Sequence, residues 1–157
     1  MKAPIMINRR DTLSHGVRIA ALMATAGLLP APVHAAWSKD AFDAKTLADT
    51  VKALGGTAPV QSTEVTITGP DIAENGAVVP VGASTALAGV KRLALLVEKN
   101  PNALAAVFDV SDAVDASIST RVKMGQSSNV IALAMMADGR VLYAQKEIKV
   151  TLGGCGG

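Results

Sequence analysis

Residues 130–152 read VIALAMMADGRVLYAQKEIKVTL, and this stretch decides the fold class of the chain. The segment 130–136 is apolar at every position, which is typical of a strand whose two faces are both buried. Asp138-Gly139 is a tight-turn signal, and residues 147–152 then alternate polar and apolar side chains like a strand with one wet face. The stretch predicts two antiparallel strands, the first of them central in the fold or covered by a partner protein.

Five more segments carry the alternation or the short apolar runs of strands: residues 64–68, 78–81, 93–97, 104–110 and 117–124. Asn75-Gly76 predicts a hairpin leading into the second segment, where Pro80 indicates an edge strand or a bulge. About seven short strands with frequent turns are typical of an immunoglobulin-like antiparallel β-sandwich. The expected fold is therefore mainly β.

One helix is predicted ahead of the strands, over residues 38–54. Ser38 can cap its N-terminus, Gly55-Gly56 can end it, and apolar residues recur along it at helical spacing. We expect residues 37–152 to form one domain, with this N-terminal helix packed on the sandwich.

The first 36 residues have the organisation of an export signal. Basic residues in the segment 1–18 precede the apolar run 19–29, and the small residues of 33–36 suit a cleavage point. Arg9-Arg10 resembles a twin-arginine signal, although Thr12 stands where that motif usually has Phe. We expect export to the periplasm and removal of residues 1–36, which leaves no membrane anchor; an uncleaved N-terminal anchor is the alternative.

The composition after the export signal excludes several classes of protein. From Trp37 onward, 11 basic residues stand against 12 acidic ones, so no basic surface for nucleic acid is expected. Both histidines, His15 and His34, lie within the signal. A single cysteine without a histidine provides no Cys-His nucleophile pair, no histidine metal site and no internal disulfide. We therefore expect no cofactor, no metal and no catalytic residue.

The chain ends in Gly153-Gly154-Cys155-Gly156-Gly157. The four glycines remove neighbouring side chains and permit almost any backbone conformation, so residues 153–157 are expected to form a flexible swinging arm. A thiol on a thin arm can enter a narrow channel, and a thiolate can be joined to another sulfur atom and later released. These residues predict a covalent sulfur carrier. An immunoglobulin-like periplasmic binding domain with an incidental terminal cysteine is the alternative.

The chain also resembles the SoxY family, the sulfur-compound carrier subunits of the periplasmic thiosulfate-oxidising Sox system. The segments that carry the resemblance are FDAKTLADTVKALGG (42–56), PDIAENGAVVPV (70–81), VEKNP (97–101), STRVKMGQSSNV (119–130) and KVTLGGCGG (149–157). The resemblance implies that Cys155 holds thiosulfate-derived sulfur and that the protein is a carrier, not an enzyme.

The resemblance also implies partners. A SoxAX-like c-type cytochrome couples thiosulfate to the cysteine, a SoxB-like hydrolase releases the terminal sulfone as sulfate, and a sulfane dehydrogenase, where present, oxidises the remaining sulfur. The family works as a heterodimer with SoxZ, a smaller β-sandwich protein without a signal of its own. Twin-arginine export of an already folded chain fits a protein that carries such a partner with it.

Two other sulfur carriers offer less suitable explanations. A ubiquitin-like carrier would use the carboxylate of Gly156-Gly157, but its activation needs ATP in the cytoplasm, which conflicts with the export signal. A cytoplasmic carrier with two cysteines on a flexible tail fits poorly, because this chain has one cysteine and a β pattern.

Overall fold

The computed structural model describes residues 8–25 and 38–153, and the chain divides into two compact units, residues 1–37 and 38–157. In the first unit, helix α1 spans Arg9–Thr25, inside the predicted export signal. The Asn8 side chain accepts a hydrogen bond from the Arg10 backbone N–H at 3.0 Å at the start of this helix. No helix in the described ranges is long and apolar enough to cross a membrane. The apolar run 19–29 continues past the described residues, and the cleavage segment 33–36 lies outside them.

The second unit begins with two short helices where one was predicted. Helix α2 spans Lys39–Asp43 and helix α3 spans Leu47–Ala53. The backbone between them is extended at Ala44, with φ −63° and ψ 140°. The side chain of Thr46 then accepts a hydrogen bond from Asp49 N at 3.1 Å and caps α3. A second N-cap inside an apolar repeat thus interrupts the predicted helix.

The predicted ends of this helical region are confirmed. Ser38 Oγ accepts from Ala41 N at 3.3 Å and caps α2. Gly55 follows α3 with a φ of 80°, a left-handed conformation that costs glycine little.

Within residues 38–153, nine strands follow the helices, and their pairing makes two sheets. The strands are β1 (Val60–Gln61), β2 (Val65–Thr68), β3 (Ile72–Asn75), β4 (Val79–Thr85), β5 (Val90–Val97), β6 (Leu104–Asp109), β7 (Ser117–Val122), β8 (Ser128–Met136) and β9 (Val141–Leu152). The large sheet has the order β1-β9-β8-β5-β6, and β3 also pairs with β9. The small sheet has the order β2-β4-β7. The architecture is mainly β with two sheets and few helices, as predicted.

The hairpin predicted around Asp138-Gly139 is confirmed. Strands β8 and β9 pair antiparallel with Ala132 opposite Ala144, and Gly139 turns the chain at a φ of 88°. The sheet is nevertheless mixed, because β1 and β3 run parallel to β9. Both of these strands are short and lack a clear apolar alternation, which is why the sequence did not predict them.

The hairpin predicted at Asn75-Gly76 is wrong. The Asn75 side chain does accept a hydrogen bond from Ala77 N at 2.8 Å and forms a turn. The turn, however, takes the chain from β3 in the large sheet to β4 in the small sheet, so the two strands are not paired. Pro80 lies in β4, the middle strand of the small sheet, but beyond the end of β2, whose pairing stops where Thr68 faces Gly82.

The large sheet is the middle layer of the domain. One of its faces packs on the small sheet, and the alternate residues Val130, Ala132, Ala134 and Met136 of β8 point there. The other face packs on α2 and α3 and takes Ile131, Leu133 and Met135. Strand β8 therefore lies in the interior, which explains why both of its faces are apolar.

Candidate functional site

The last strand delivers the chain to the terminal cysteine. The pairing of β9 with β8 ends where Ser128 faces Ile148, and the remaining residues of β9 pair with β3, with Asn75 opposite Leu152. Gly153 follows and is the last described residue. The predicted attachment site Cys155 and the predicted arm glycines 154, 156 and 157 lie outside the described residues.

We use the term arm foot for Leu152 and Gly153 together with the residues that hold them, namely Gly76, Asn100, Met124 and Gly125. Gly76 is buried, and its N–H donates to the Leu152 carbonyl at 2.8 Å. Met124 N donates in turn to the Gly76 carbonyl at 2.7 Å, and the Met124 side chain is fully buried in the core between the sheets. The end of β9 is therefore connected to the core through two backbone hydrogen bonds.

Asn100 holds the loop around Met124 from the other side. Its Nδ2 donates to the Lys123 carbonyl at 2.7 Å, and its Oδ1 accepts from Gly125 N at 3.3 Å. One amide side chain thus contacts the residues on both sides of Met124. Such a two-point contact restricts the loop more than a single hydrogen bond would.

Two further side chains hold the end of β9 along its edges. Ser127 Oγ accepts from Val150 N at 2.9 Å, where the ladder to β8 has ended. Thr151 Oγ1 donates to the Glu74 carbonyl of β3 at 3.0 Å. The strand is consequently fixed up to the residue that precedes Gly153.

Gly153 lies against the backbone of Gly125. A Cβ atom placed on Gly153 would overlap the Gly125 carbonyl oxygen and lie 3.3 Å from its carbonyl carbon. The sequence predicted that Gly153 adds flexibility to the arm. The structure gives this residue a second role, because only a residue without a side chain allows so close an approach of two backbones.

Four of the five segments that carried the family resemblance meet at the arm foot. Gly76 belongs to the segment 70–81, Asn100 to 97–101, Met124 and Gly125 to 119–130, and Leu152 and Gly153 to 149–157. The fifth segment, 42–56, contains the end of α2 and all of α3 and packs on the outer face of the large sheet. The sequence identified these segments one by one, but their convergence depends on the sheet topology.

An ion pair fixes the start of β3 beside this site. Lys146 Nζ lies 2.9 Å from Asp71 Oδ1 and also donates to the Gly69 carbonyl at 2.7 Å. The hydrogen bond and charge of Lys146 lower the pKa of the Asp71 carboxyl. Within residues 8–25 and 38–153, no group of three or more His, Cys, Asp or Glu side chains is placed to hold a metal ion. The arm foot itself consists mainly of backbone and amide groups.

A surface depression lies elsewhere on the described part of the chain. It has a volume of about 810 Å³ and is lined by residues 84–91, 110–112, 114–117 and Ala137. These residues include the end of β4, the start of β5 and the connection from β6 to β7, which places them at the opposite end of the strands from the arm foot.

Comparisons with known proteins agree on one family. The family model described as "Sulfur oxidation protein SoxY" matches residues 51–155, a range that includes the arm foot and Cys155. The solved structure of the sulfur carrier protein SoxY from Chlorobium limicola f thiosulfatophilum is similar, with 31% sequence identity and a TM-score of 0.62. That match covers 68% of this chain and 97% of the other. No curated protein sequence matches the chain.

Other solved structures are more distant. The superoxide reductase (neelaredoxin) from Ignicoccus hospitalis has 18% identity and a TM-score of 0.49, over 55% of this chain and 78% of the other. The fibronectin(III)-like modules of Clostridium thermocellum CbhA have 20% identity and a TM-score of 0.40, over 55% of this chain and 93% of the other.

Proposed function

The chain belongs to the SoxY family of sulfur oxidation proteins, whose members are carriers, and we propose that it holds thiosulfate-derived sulfur covalently on Cys155. In this proposal it works in the periplasm and presents the bound sulfur to the enzymes of a Sox thiosulfate-oxidation cycle. The observation that carries the proposal is the arm foot, where loops from three other parts of the chain fix the end of β9 three positions before the cysteine.

The short distance from the fixed residue to the thiol supports a carrier. At about 3.3–3.6 Å per residue, the Cα atom of Cys155 lies at most about 7 Å from that of Gly153. An enzyme that receives the sulfur must therefore approach the arm foot itself. A defined departure point with a short tether limits the search that each enzyme has to make.

The chemistry requires only the thiolate from this chain. In the loading step, the Cys155 sulfur and the terminal sulfur of thiosulfate form an S–S bond, and two electrons pass to a SoxAX-like c-type cytochrome. In the second step, a SoxB-like hydrolase adds water to the sulfone sulfur, releases sulfate with its protons and leaves a persulfide on Cys155. A sulfane dehydrogenase, where one is present, oxidises that outer sulfur. Because each partner supplies the oxidant or the hydrolytic groups, the carrier needs no cofactor.

We also propose that the chain forms a heterodimer with a SoxZ-like β-sandwich subunit and is exported together with it. Arg9 and Arg10 are both exposed at the start of α1, where a twin-arginine receptor could bind them. Export of a folded chain by this route would allow a partner without a signal to cross the membrane with it.

Intact-mass analysis of the mature protein tests the proposal. Protein isolated from the periplasm of cells that oxidise thiosulfate should carry mass increments of bound thiosulfate or of sulfur, and a reductant should remove them. The Cys155→Ser variant from the same cells is the control and should carry none. An unmodified wild-type mass during active thiosulfate oxidation would favour an immunoglobulin-like binding domain with an incidental cysteine.

A further inference from the structure

We infer that the Gly125 carbonyl is a seat for Gly153 and that Asn100 is a positioning residue, which holds this seat in place and so fixes where the arm leaves the domain. The inference rests on the proposed function and deepens it. It assigns to Gly153 a place in the folded domain, and it makes residue 154 the first position of the arm.

The contact between the two glycines carries the first step. A side chain on Gly153 would collide with the carbonyl oxygen of Gly125, which is a backbone atom and cannot rotate away as the end of a flexible side chain can. Either the loop or the arm must then move.

The loop is held more firmly than the arm. The Met124 side chain is fully buried, Met124 N is bonded to the Gly76 carbonyl, and Asn100 contacts the residues on both sides of Met124. On the arm side, the contacts with Ser127, Glu74 and Gly76 hold β9 up to Leu152, and Gly153 beyond them is exposed. A side chain at position 153 should therefore displace the arm and leave the loop where it is.

A displaced departure point matters because the tether is short. Only Gly154 lies between Gly153 and the sulfur-bearing residue, so a shift at Gly153 passes almost undiminished to Cys155. Misplacement of a reacting group by about 1 Å can cost roughly 100-fold in rate. A small chemical reagent that diffuses to the thiol should not sense the shift.

The central experiment compares Gly153→Ala with wild type in three measurements. The first is kcat/KM for loading of Cys155 by the SoxAX-like cytochrome with thiosulfate, the second is the rate of alkylation by iodoacetamide, and the third is the melting temperature. We expect kcat/KM to fall by about tenfold or more, with the other two unchanged. Gln126→Ala, an exposed change on the same loop, is the control and should load like wild type.

The coupling to Asn100 is tested by a double-mutant cycle. Asn100→Ala removes both contacts that bracket Met124, so the Gly125 carbonyl can yield to a methyl group at position 153. Gly153→Ala should then cost less in the Asn100→Ala background than in wild type, so the loss in the double variant should be smaller than the sum of the two single losses. Strictly additive losses would overturn the positioning role of Asn100.

A measurement without any partner separates this inference from the proposed function. Amide NMR spectra of the carrier alone should show shifts at Leu152 and at the residues after 153 in Gly153→Ala, with Met124 and Gly125 nearly unchanged. Shifts centred on Gly125 would mean that the loop yields, which overturns the inference. Failure of the wild-type carrier to load would refute the proposed function, and the NMR shifts would then decide by themselves whether Gly125 seats Gly153.

Discussion

Cys155 supplies the only thiol of the chain, and its nearest covalent neighbours are glycines. We predict that Cys155→Ser leaves the fold unchanged and abolishes thiosulfate oxidation by the reconstituted system, because a serine hydroxyl cannot form the S–S bond. The domain should melt at the wild-type temperature, because the last β9 residues that pack in the core, Ile148 and Val150, precede the arm. Turnover by the serine variant would contradict the carrier role.

A second prediction concerns the glycines that flank the thiol. Replacing Gly154 and Gly156 by valine restricts the backbone to extended conformations and adds bulk on both sides of the sulfur. We expect loading by the cytochrome partner to fall sharply, while alkylation of Cys155 proceeds at about the wild-type rate. The stability should change by less than about 0.5 kcal/mol, because both positions follow the last strand of the domain. Equal loading by the valine variant would show that these glycines do not serve passage into a narrow channel.

At the level of single residues, the sequence could identify the thiol but not its support. The Gly-Gly-Cys-Gly-Gly pattern is local, and its chemistry can be inferred from residue types alone. The contact of Gly153 with Gly125 and the double contact of Asn100 join positions far apart in the chain. Such pairs follow from strand register, which an isolated sequence does not specify.

Strand β8 is the element on which the packing of the domain depends. Leu133 is 0% exposed and lies between the large sheet and the two helices. We predict that Leu133→Ala lowers the free energy of unfolding by about 2–5 kcal/mol, because it leaves a cavity in a layer that cannot close fully. Urea unfolding measures this loss.

Val114→Ala is the matched control for that change. Val114 is 61% exposed, so its truncation should alter the free energy of unfolding by less than about 0.5 kcal/mol. Equal effects of the two substitutions would contradict the three-layer packing.

The elements also show where local patterns predict well and where they fail. The pattern at 130–152 predicted β8, its turn and β9, because strong periodicity and a turn signal agreed there. Thr46 caps the N-terminus of α3 within a continuous apolar repeat, so two helices stand where one was predicted. Asn75-Gly76 specified a turn correctly but not the sheet to which the chain would pass, since both outcomes use the same local conformation.

On the scale of the whole molecule, two surface features lie at opposite ends of the strands. The loops that fix the arm lie at one end, and the depression of about 810 Å³ lies at the other. Under the proposed function this arrangement would allow several enzymes to approach the same end of the domain. The sequence predicted a sandwich with a terminal arm, whereas the grouping of four separate segments around the arm foot required the topology.

Export also belongs to the scale of the whole molecule, because in the proposed function it decides whether the folded chain and a partner would reach thiosulfate. The exposed pair Arg9-Arg10 opens α1, and Arg18 lies exposed further along the same helix. We predict that the double variant Arg9→Lys, Arg10→Lys leaves the precursor in the cytoplasm, because a twin-arginine receptor distinguishes guanidinium groups from ammonium groups of equal charge.

Arg18→Lys keeps the same net charge and should be exported normally. Cell fractionation with immunoblotting measures both, and it should find the SoxZ-like partner retained together with the double variant. Normal periplasmic levels of the double variant would instead assign the chain to the general secretory route, by which proteins cross unfolded, and the partner would then need a signal of its own.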